Sequence, residues 1–158
     1  MAADNTRANF RLADPVQFLA LGFGSGLAPK APGTFGTLAA IPVYLLMVWY
    51  LPLAGYALLT ALMALAGIYI CQKAADAARV HDHPAIVWDE IVGYLITMFM
   101  VPLSWQTVVA GFILFRFFDI FKPWPISFAD KKVHGGLGIM LDDVLAGIFA
   151  LIVMQLIF

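Results

Sequence analysis

The sequence predicts an all-α protein: a polytopic membrane helical bundle with short or re-entrant helices and polar loops gathered on the cytoplasmic face. Three observations predict it. Of 158 residues, 63% are hydrophobic and only 12% are charged, against about 25% charged in an ordinary soluble domain. A mean hydropathy of +0.90 leaves too little polar surface to cover a water-facing sphere. Apolar runs of helical length also recur along the chain, separated by short polar clusters. Nine Lys and Arg against ten Asp and Glu give a formal net charge of −1, so no global field draws polyanions and no nucleic-acid partner is expected. The single cysteine, Cys71, permits neither an internal disulfide nor a thiolate metal cage.

Residues 1–14 lack an apolar run and carry Asp4, Arg7, Arg11 and Asp14, which does not read as a cleavable secretory signal. Asp14 and Pro15 read as the cap and first turn of a short surface helix through Leu21. The expected organisation is a single membrane-embedded domain over 1–158, with 1–21 as N-terminal segment and surface helix and 22–158 as the bundle. The runs Phe35 to Leu51 and Ala54 to Cys71 hold 17 and 18 residues. At about 1.5 Å per residue each approaches the hydrocarbon thickness of about 30 Å. Ile91 to Val101 and Trp105 to Phe115 are shorter. The first of these gains a turn if Asp82 caps a helix that Pro84 opens, and Pro102 then ends or kinks it. Val144 to Phe158 forms the last helix.

Residues 91–115 are therefore either one kinked span or a hairpin turning at Pro102, Leu103 and Ser104. Charge placement favours the hairpin. All nine Lys and Arg fall in the first 30 residues, in Lys73 to Arg79, or in Arg116 to Lys132. Two hairpins and a final helix put these three segments on one face, which the positive-inside tendency makes cytoplasmic.

The polar residues fall into four blocks. The first, Gly22 to Thr37, combines glycines, Lys30, Thr34 and Thr37 directly before a helix. Its backbone N–H groups and the helix N-terminus could hold a phosphate, or it is a turn-rich connector. The second, His81 to Glu90, ends on Asp89 and Glu90 at the start of an apolar helix. Adjacent carboxylates there are costly unless paired, protonated or metal-bound. His81 and His83 read as surface or hydrogen-bonding histidines rather than ligands. In the third, Arg116, Asp119 and Lys122 recur every third residue and share a helical face before Pro123. The fourth runs through Lys131, Lys132, His134 and three glycines to Asp142 and Asp143, a second carboxylate pair at the start of a helix.

In the hairpin topology Asp89, Glu90, Asp119, Asp142 and Asp143 approach one face, with Arg116, Lys122 and Lys30 nearby. Hard oxygen ligands without thiolates suit Mg²⁺ or Mn²⁺. Such an ion beside Arg and Lys argues for phosphate-ester chemistry on a substrate embedded in the bilayer. A small membrane transporter or cation carrier is the rival reading, because intramembrane carboxylates and broken helices also serve transport. A noncatalytic lipid-binding factor is a third.

The segments GSGLAPKAPGTFGT, HDHPAIVWDE, RFFDIFKPWPI and VHGGLGIMLDD, in this order, resemble the bacterial phosphatidylglycerophosphatase A family from about Leu19 to Phe149. The resemblance implies a multi-pass protein of the bacterial inner membrane with its active site facing the cytoplasm. It further implies hydrolysis of phosphatidylglycerophosphate to phosphatidylglycerol and phosphate with Mg²⁺, and acidic residues of the last three segments in the active site. On that basis Asp89, Glu90, Asp119 and Asp143 are the expected catalytic residues, and Asp89, Glu90, Asp142 and Asp143 the expected metal ligands, one of each adjacent pair supporting the other. Asp119 is either a ligand or the residue that orients Arg116. Lys30, Thr34, Thr37, Arg116, Lys122 and His134 are the expected contacts of the substrate phosphate. Other phosphatase chemistries lack their residues here: position 77, six after Cys71, is alanine rather than arginine, and no DxDx[TV] run occurs.

Overall fold

A computed structural model of the chain describes residues 10–79 and 83–158. Among them are seven α-helices and no strand. They are α1 (Pro15–Ala20), α2 (Pro32–Tyr50), α3 (Leu53–Ala78), α4 (Trp88–Thr97), α5 (Trp105–Phe121), α6 (Ile126–Lys132) and α7 (Gly135–Ile157). By length and composition α2, α3 and α7 are long enough and apolar enough to cross a membrane. Their outward faces carry exposed Leu46, Trp49, Leu58, Leu62, Leu65 and Ile152, the surface expected of helices solvated by lipid.

Local chemistry sets many of the boundaries. The Asp14 carboxylate accepts the N–H groups of Val16 at 2.9 Å and Gln17 at 3.4 Å, and Pro15 opens α1, as expected from the sequence. Arg79, in the left-handed conformation at φ 59°, ends α3. Ser104 and Thr107 form a reciprocal capping box that starts α5. Lys122 at φ 47° closes α5 just before Pro123.

Several boundaries differ from expectation. Pro84 does not open α4: it is exposed in a turn, and the helix starts at Trp88. Asp82, the expected cap, lies outside the described residues, as does His81. The backbone of this turn bonds elsewhere, since the Val87 N–H donates to the Ala20 carbonyl at 2.8 Å. Helix α3 runs past Cys71 to Ala78, and α5 past Phe115 to Phe121. Helix α7 begins nine residues before Val144, so Asp142 and Asp143 lie two turns inside it rather than at its start. Apolar runs mark only the part of a helix in hydrocarbon, whereas the helix continues wherever its polar side chains find water or a cavity. The short α6 carries no long apolar run and was not anticipated.

Residues 91–115 form the hairpin and not a kinked span. Helix α4 stops at Thr97 and α5 starts at Trp105. The Tyr94 hydroxyl reaches back to donate to the Val108 carbonyl at 3.1 Å. Ten residues of α4 rise only about 15 Å, half of a bilayer core. Its C-terminal carbonyls therefore end in apolar surroundings and need internal donors. They have them: Tyr56 donates its hydroxyl to the Leu95 carbonyl at 2.6 Å, and the Met98 and Phe99 N–H groups donate to the Tyr94 and Ile96 carbonyls, each at 3.1 Å. Beyond the helix, the Gln155 amide donates to the Phe99 and Met100 carbonyls at 3.1 and 3.3 Å.

Helix α7 packs on α3, α4, α5 and α6, and α4 packs on α2, α3, α5 and α7. The α4–α7 crossing is close because both helices present glycine. A Cβ on Gly147 would lie 2.6 Å from the Gly93 carbonyl oxygen, and one on Gly93 would lie 2.9 Å from the Asp143 carbonyl oxygen. Small residues at such crossings let helix backbones approach.

The Gly93→Ala substitution sets two effects against each other. Alanine gains about 1 kcal/mol of helix propensity over glycine, while overpacking costs about 1–3 kcal/mol. The new methyl would meet both the Phe115 ring and a backbone carbonyl that cannot swing aside, so overpacking wins. Purified Gly93→Ala protein should show a Tm several degrees below wild type by circular dichroism in detergent. An equal or higher Tm would refute the close crossing.

Candidate active site

Four helix segments and one turn enclose a cavity of about 410 Å³, within the range of small-molecule sites. Helix α2 contributes Ala31, Pro32 and Gly33 at its N-terminus, and the turn before α4 contributes His83, Pro84 and Ile86. Helix α4 supplies Asp89 and Glu90, α5 supplies Arg116, Asp119, Ile120 and Lys122 at its C-terminal end, and α7 supplies Asp142 and Asp143. Five carboxylates thus face two permanent cations.

Asp89 and Glu90 occupy the first turn of α4, where the helix dipole favours negative charge. Asp143 reaches the same place from α7 because the glycine crossing brings the two backbones together. One carboxylate oxygen from each of Asp89, Glu90 and Asp143 lies within 4.8 Å of the others, a grouping that could hold a metal ion. Oxygen donors without sulfur or imidazole fit a hard divalent cation. The buried oxygens Asp89 Oδ1, Glu90 Oε2 and Asp143 Oδ2 have no hydrogen-bond partner. Buried polar atoms left in that state are costly, and a bound cation would offset the cost.

The cationic half is built on α5. Arg116 pairs with Asp119 through Nη1 and Oδ2. Lys122 Nζ lies 3.6 Å from Asp119 Oδ1 and 3.8 Å from Asp142 Oδ2. Burial works to lower the pKa of Lys122, but Asp143, Asp119, Asp142 and Asp130 raise it, and the net shift is upward. Lys122 therefore stays an ammonium at neutral pH. Gly33 allows α2 to close on this group: a Cβ there would sit 3.0 and 3.1 Å from the Arg116 guanidinium nitrogens and 3.1 Å from Glu90 Oε1.

The cavity gathers seven of the residues singled out in the sequence: Asp89, Glu90, Arg116, Asp119, Lys122, Asp142 and Asp143. Within the α7 pair Asp143 joins the carboxylate trio and Asp142 faces Lys122. In the α4 pair both members join the trio. Asp119 stands outside the trio and pairs with Arg116 and Lys122.

Lys30, Thr34, Thr37 and His134 do not line the cavity. Lys30 is exposed beside the left-handed turn at Ala31, φ 49°. Thr34 is half-buried in the first turn of α2. The Thr37 hydroxyl donates to the Gly33 carbonyl at 2.8 Å, one turn back along its own helix. His134 is exposed at the start of α7, eight residues before Asp142 and so about 12 Å along the axis.

Among the wall residues that the sequence reading did not place in the site are His83 and Gly33. His83 is 5% exposed, and its Nδ1 accepts the Ala85 N–H at 3.0 Å, which leaves Nε2 as the protonated nitrogen of the neutral ring. The only hint in the sequence was its alternation with His81 ahead of a proline. Gly33 carried no signal beyond belonging to a glycine-rich loop.

Residues 18–158 match the family model described as phosphatidylglycerophosphatase A. The chain is 47% identical over 148 residues to the phosphatidylglycerophosphatase A of Escherichia coli, covering 93% of this chain and 86% of that protein. It is 48% identical over 154 residues to the protein of the same name from Haemophilus influenzae, covering 97% and 94%. No solved structure gives a significant match. With nearly the whole chain covered at this level of identity, the protein belongs to the phosphatidylglycerophosphatase A family.

Proposed function

We propose that the protein hydrolyses the terminal phosphomonoester of phosphatidylglycerophosphate to phosphatidylglycerol and inorganic phosphate, in phospholipid biosynthesis, at the cavity between α2, α4, α5 and α7. The observation that carries this reading is the meeting, in one cavity of a membrane helical bundle, of an all-oxygen trio with a cation pair. Family membership supports the same substrate. Asp89, Glu90 and Asp143 would hold Mg²⁺. The ion would supply Lewis acidity toward a phosphoryl oxygen and a bound water of lowered pKa.

The remaining work falls to side chains already in place. Arg116 offers donors to the equatorial phosphoryl oxygens, and Lys122 adds a compact charge beside them. Asp119 holds both cations in position before substrate arrives, so little reorganisation is required when charge shifts in the transition state. The active site faces the cytoplasm of the bacterial inner membrane in this reading, because all Lys and Arg of the sequence fall in three segments that the hairpin topology returns to one side.

Purified protein in mixed micelles should release phosphate from phosphatidylglycerophosphate, lose that activity to a chelator and regain it with Mg²⁺. Full activity after exhaustive chelation would eliminate the metal role, and no phosphate release in any condition would eliminate the enzyme and promote a carrier.

Removing carboxylate charge while keeping shape separates the two halves of the site. Asp89→Asn and Asp143→Asn should each lower kcat roughly a hundredfold or more. Lys122→Ala and Arg116→Ala should raise KM as well as lower kcat, since a cation binds ground and transition states alike. Variants are compared only when their elution and Tm match wild type. Near-normal rates in folded Asp89→Asn and Asp143→Asn proteins would dismantle the proposed metal site.

Sidedness is open to direct measurement at Lys30, Lys73 and Lys131, all exposed. In a Cys71→Ser background, Lys30→Cys, Lys73→Cys and Lys131→Cys should react with impermeant maleimide only when the cytoplasmic face is accessible. Labelling of position 131 from the opposite face to position 73 would overturn the assigned topology.

A further inference from the structure

In the reading above the cavity takes a phosphate, and seven of the fourteen residues that line it are charged. A diacyl lipid brings two long acyl chains, which such walls would not solvate. The chains must leave across an apolar part of the lining. Ile86 is buried, and among the described apolar side chains of the wall only Ile120 is both large and strongly exposed, at 61%. Ile120 belongs at the same time to the outer face of α5. Ile113, Phe117 and Ile120 follow one another at intervals of four and three residues, which places them on one helical face, and all three are exposed. Arg116, one residue from Phe117, is in the cavity. The phosphate-binding cations and an apolar stripe thus share α5 and meet at Ile120.

Resting on the function proposed above, we propose that the lipid reaches the site sideways from the bilayer across Ile120, its phosphate beside Arg116 and Lys122 and its acyl chains along the Ile113–Phe117–Ile120 face of α5. The occupant is the substrate's own diacyl portion, because the stripe is continuous with the phosphate cavity. Other exposed faces of the bundle, such as that formed by Leu58, Leu62 and Leu65 on α3, include no residue of the cavity wall. They would carry bulk lipid without selectivity.

The test uses phosphatidylglycerophosphate bearing a photoreactive diazirine near the middle of one acyl chain, added to wild-type protein in vesicles of phosphatidylethanolamine. Crosslinked peptides are then mapped by mass spectrometry. Label is expected on residues 113–120, reduced at least fivefold by excess unlabelled phosphatidylglycerophosphate and unchanged by excess phosphatidylethanolamine. Label spread evenly over α3, α5 and α7, or label on α5 that the unlabelled substrate does not displace, would overturn the lateral path. Because the crosslink needs binding and not turnover, it is separable from the phosphatase reading, which phosphate release by the same sample tests. As a second measurement, Phe117→Ala should raise KM for the long-chain lipid about fivefold with kcat changed less than twofold, the signature of lost uniform binding. An unchanged KM, or a loss confined to kcat, would count against the stripe.

Discussion

The close contact of α4 with α7 at Gly93 and Gly147 is the constraint on which the rest depends. With no Cβ at either position, the Gly93 carbonyl lies where a side chain at 147 would stand. That approach carries Asp143 from the interior of one helix to the first turn of another, where Asp89 and Glu90 wait. A bulkier residue at either glycine would push the helices apart, and a trio defined by oxygens within 4.8 Å has little tolerance for such a shift. Helix packing and site chemistry are in this sense one feature.

The shortness of α4 is the second structural condition. A helix of only ten residues ends among apolar groups, and its first turn meets α7 two turns inside that helix rather than at its end. The Tyr56 hydroxyl, the Met98 and Phe99 N–H groups and, beyond the helix, the Gln155 amide satisfy the carbonyls that would otherwise make this arrangement prohibitive.

Electrostatics then divides the cavity. On the α5 side Asp119 is shared between Arg116 and Lys122, and Asp142 adds to the field that keeps Lys122 charged. On the α4 side three carboxylates crowd together with unpartnered buried oxygens. One half suits an anion and the other a cation, as the proposed phosphate ester and divalent ion require. Burying charges of either sign is expensive, so the arrangement reads as stability given up for binding.

The membrane class, the helical content and most of the charged site were legible in the amino-acid sequence. In a chain with so few charges, each polar cluster inside an apolar context carries a high energetic cost, and its position is informative by itself. Asp89, Glu90, Arg116, Asp119, Lys122, Asp142 and Asp143 were found that way, and the hairpin followed from where the lysines and arginines fall. The partition of those residues was decided only by the tertiary structure: Asp143 with Asp89 and Glu90, Asp142 with Lys122, Asp119 with Arg116. So was the exclusion of Lys30, Thr34, Thr37 and His134 from the cavity wall, and the inclusion of His83 and Gly33. Spacing along a helix fixes which residues share its face, but not the depth at which a neighbouring helix starts or how closely it approaches. Those depend on glycines at a crossing and on where α4 and α7 begin, and both are settled by packing between segments far apart in the chain.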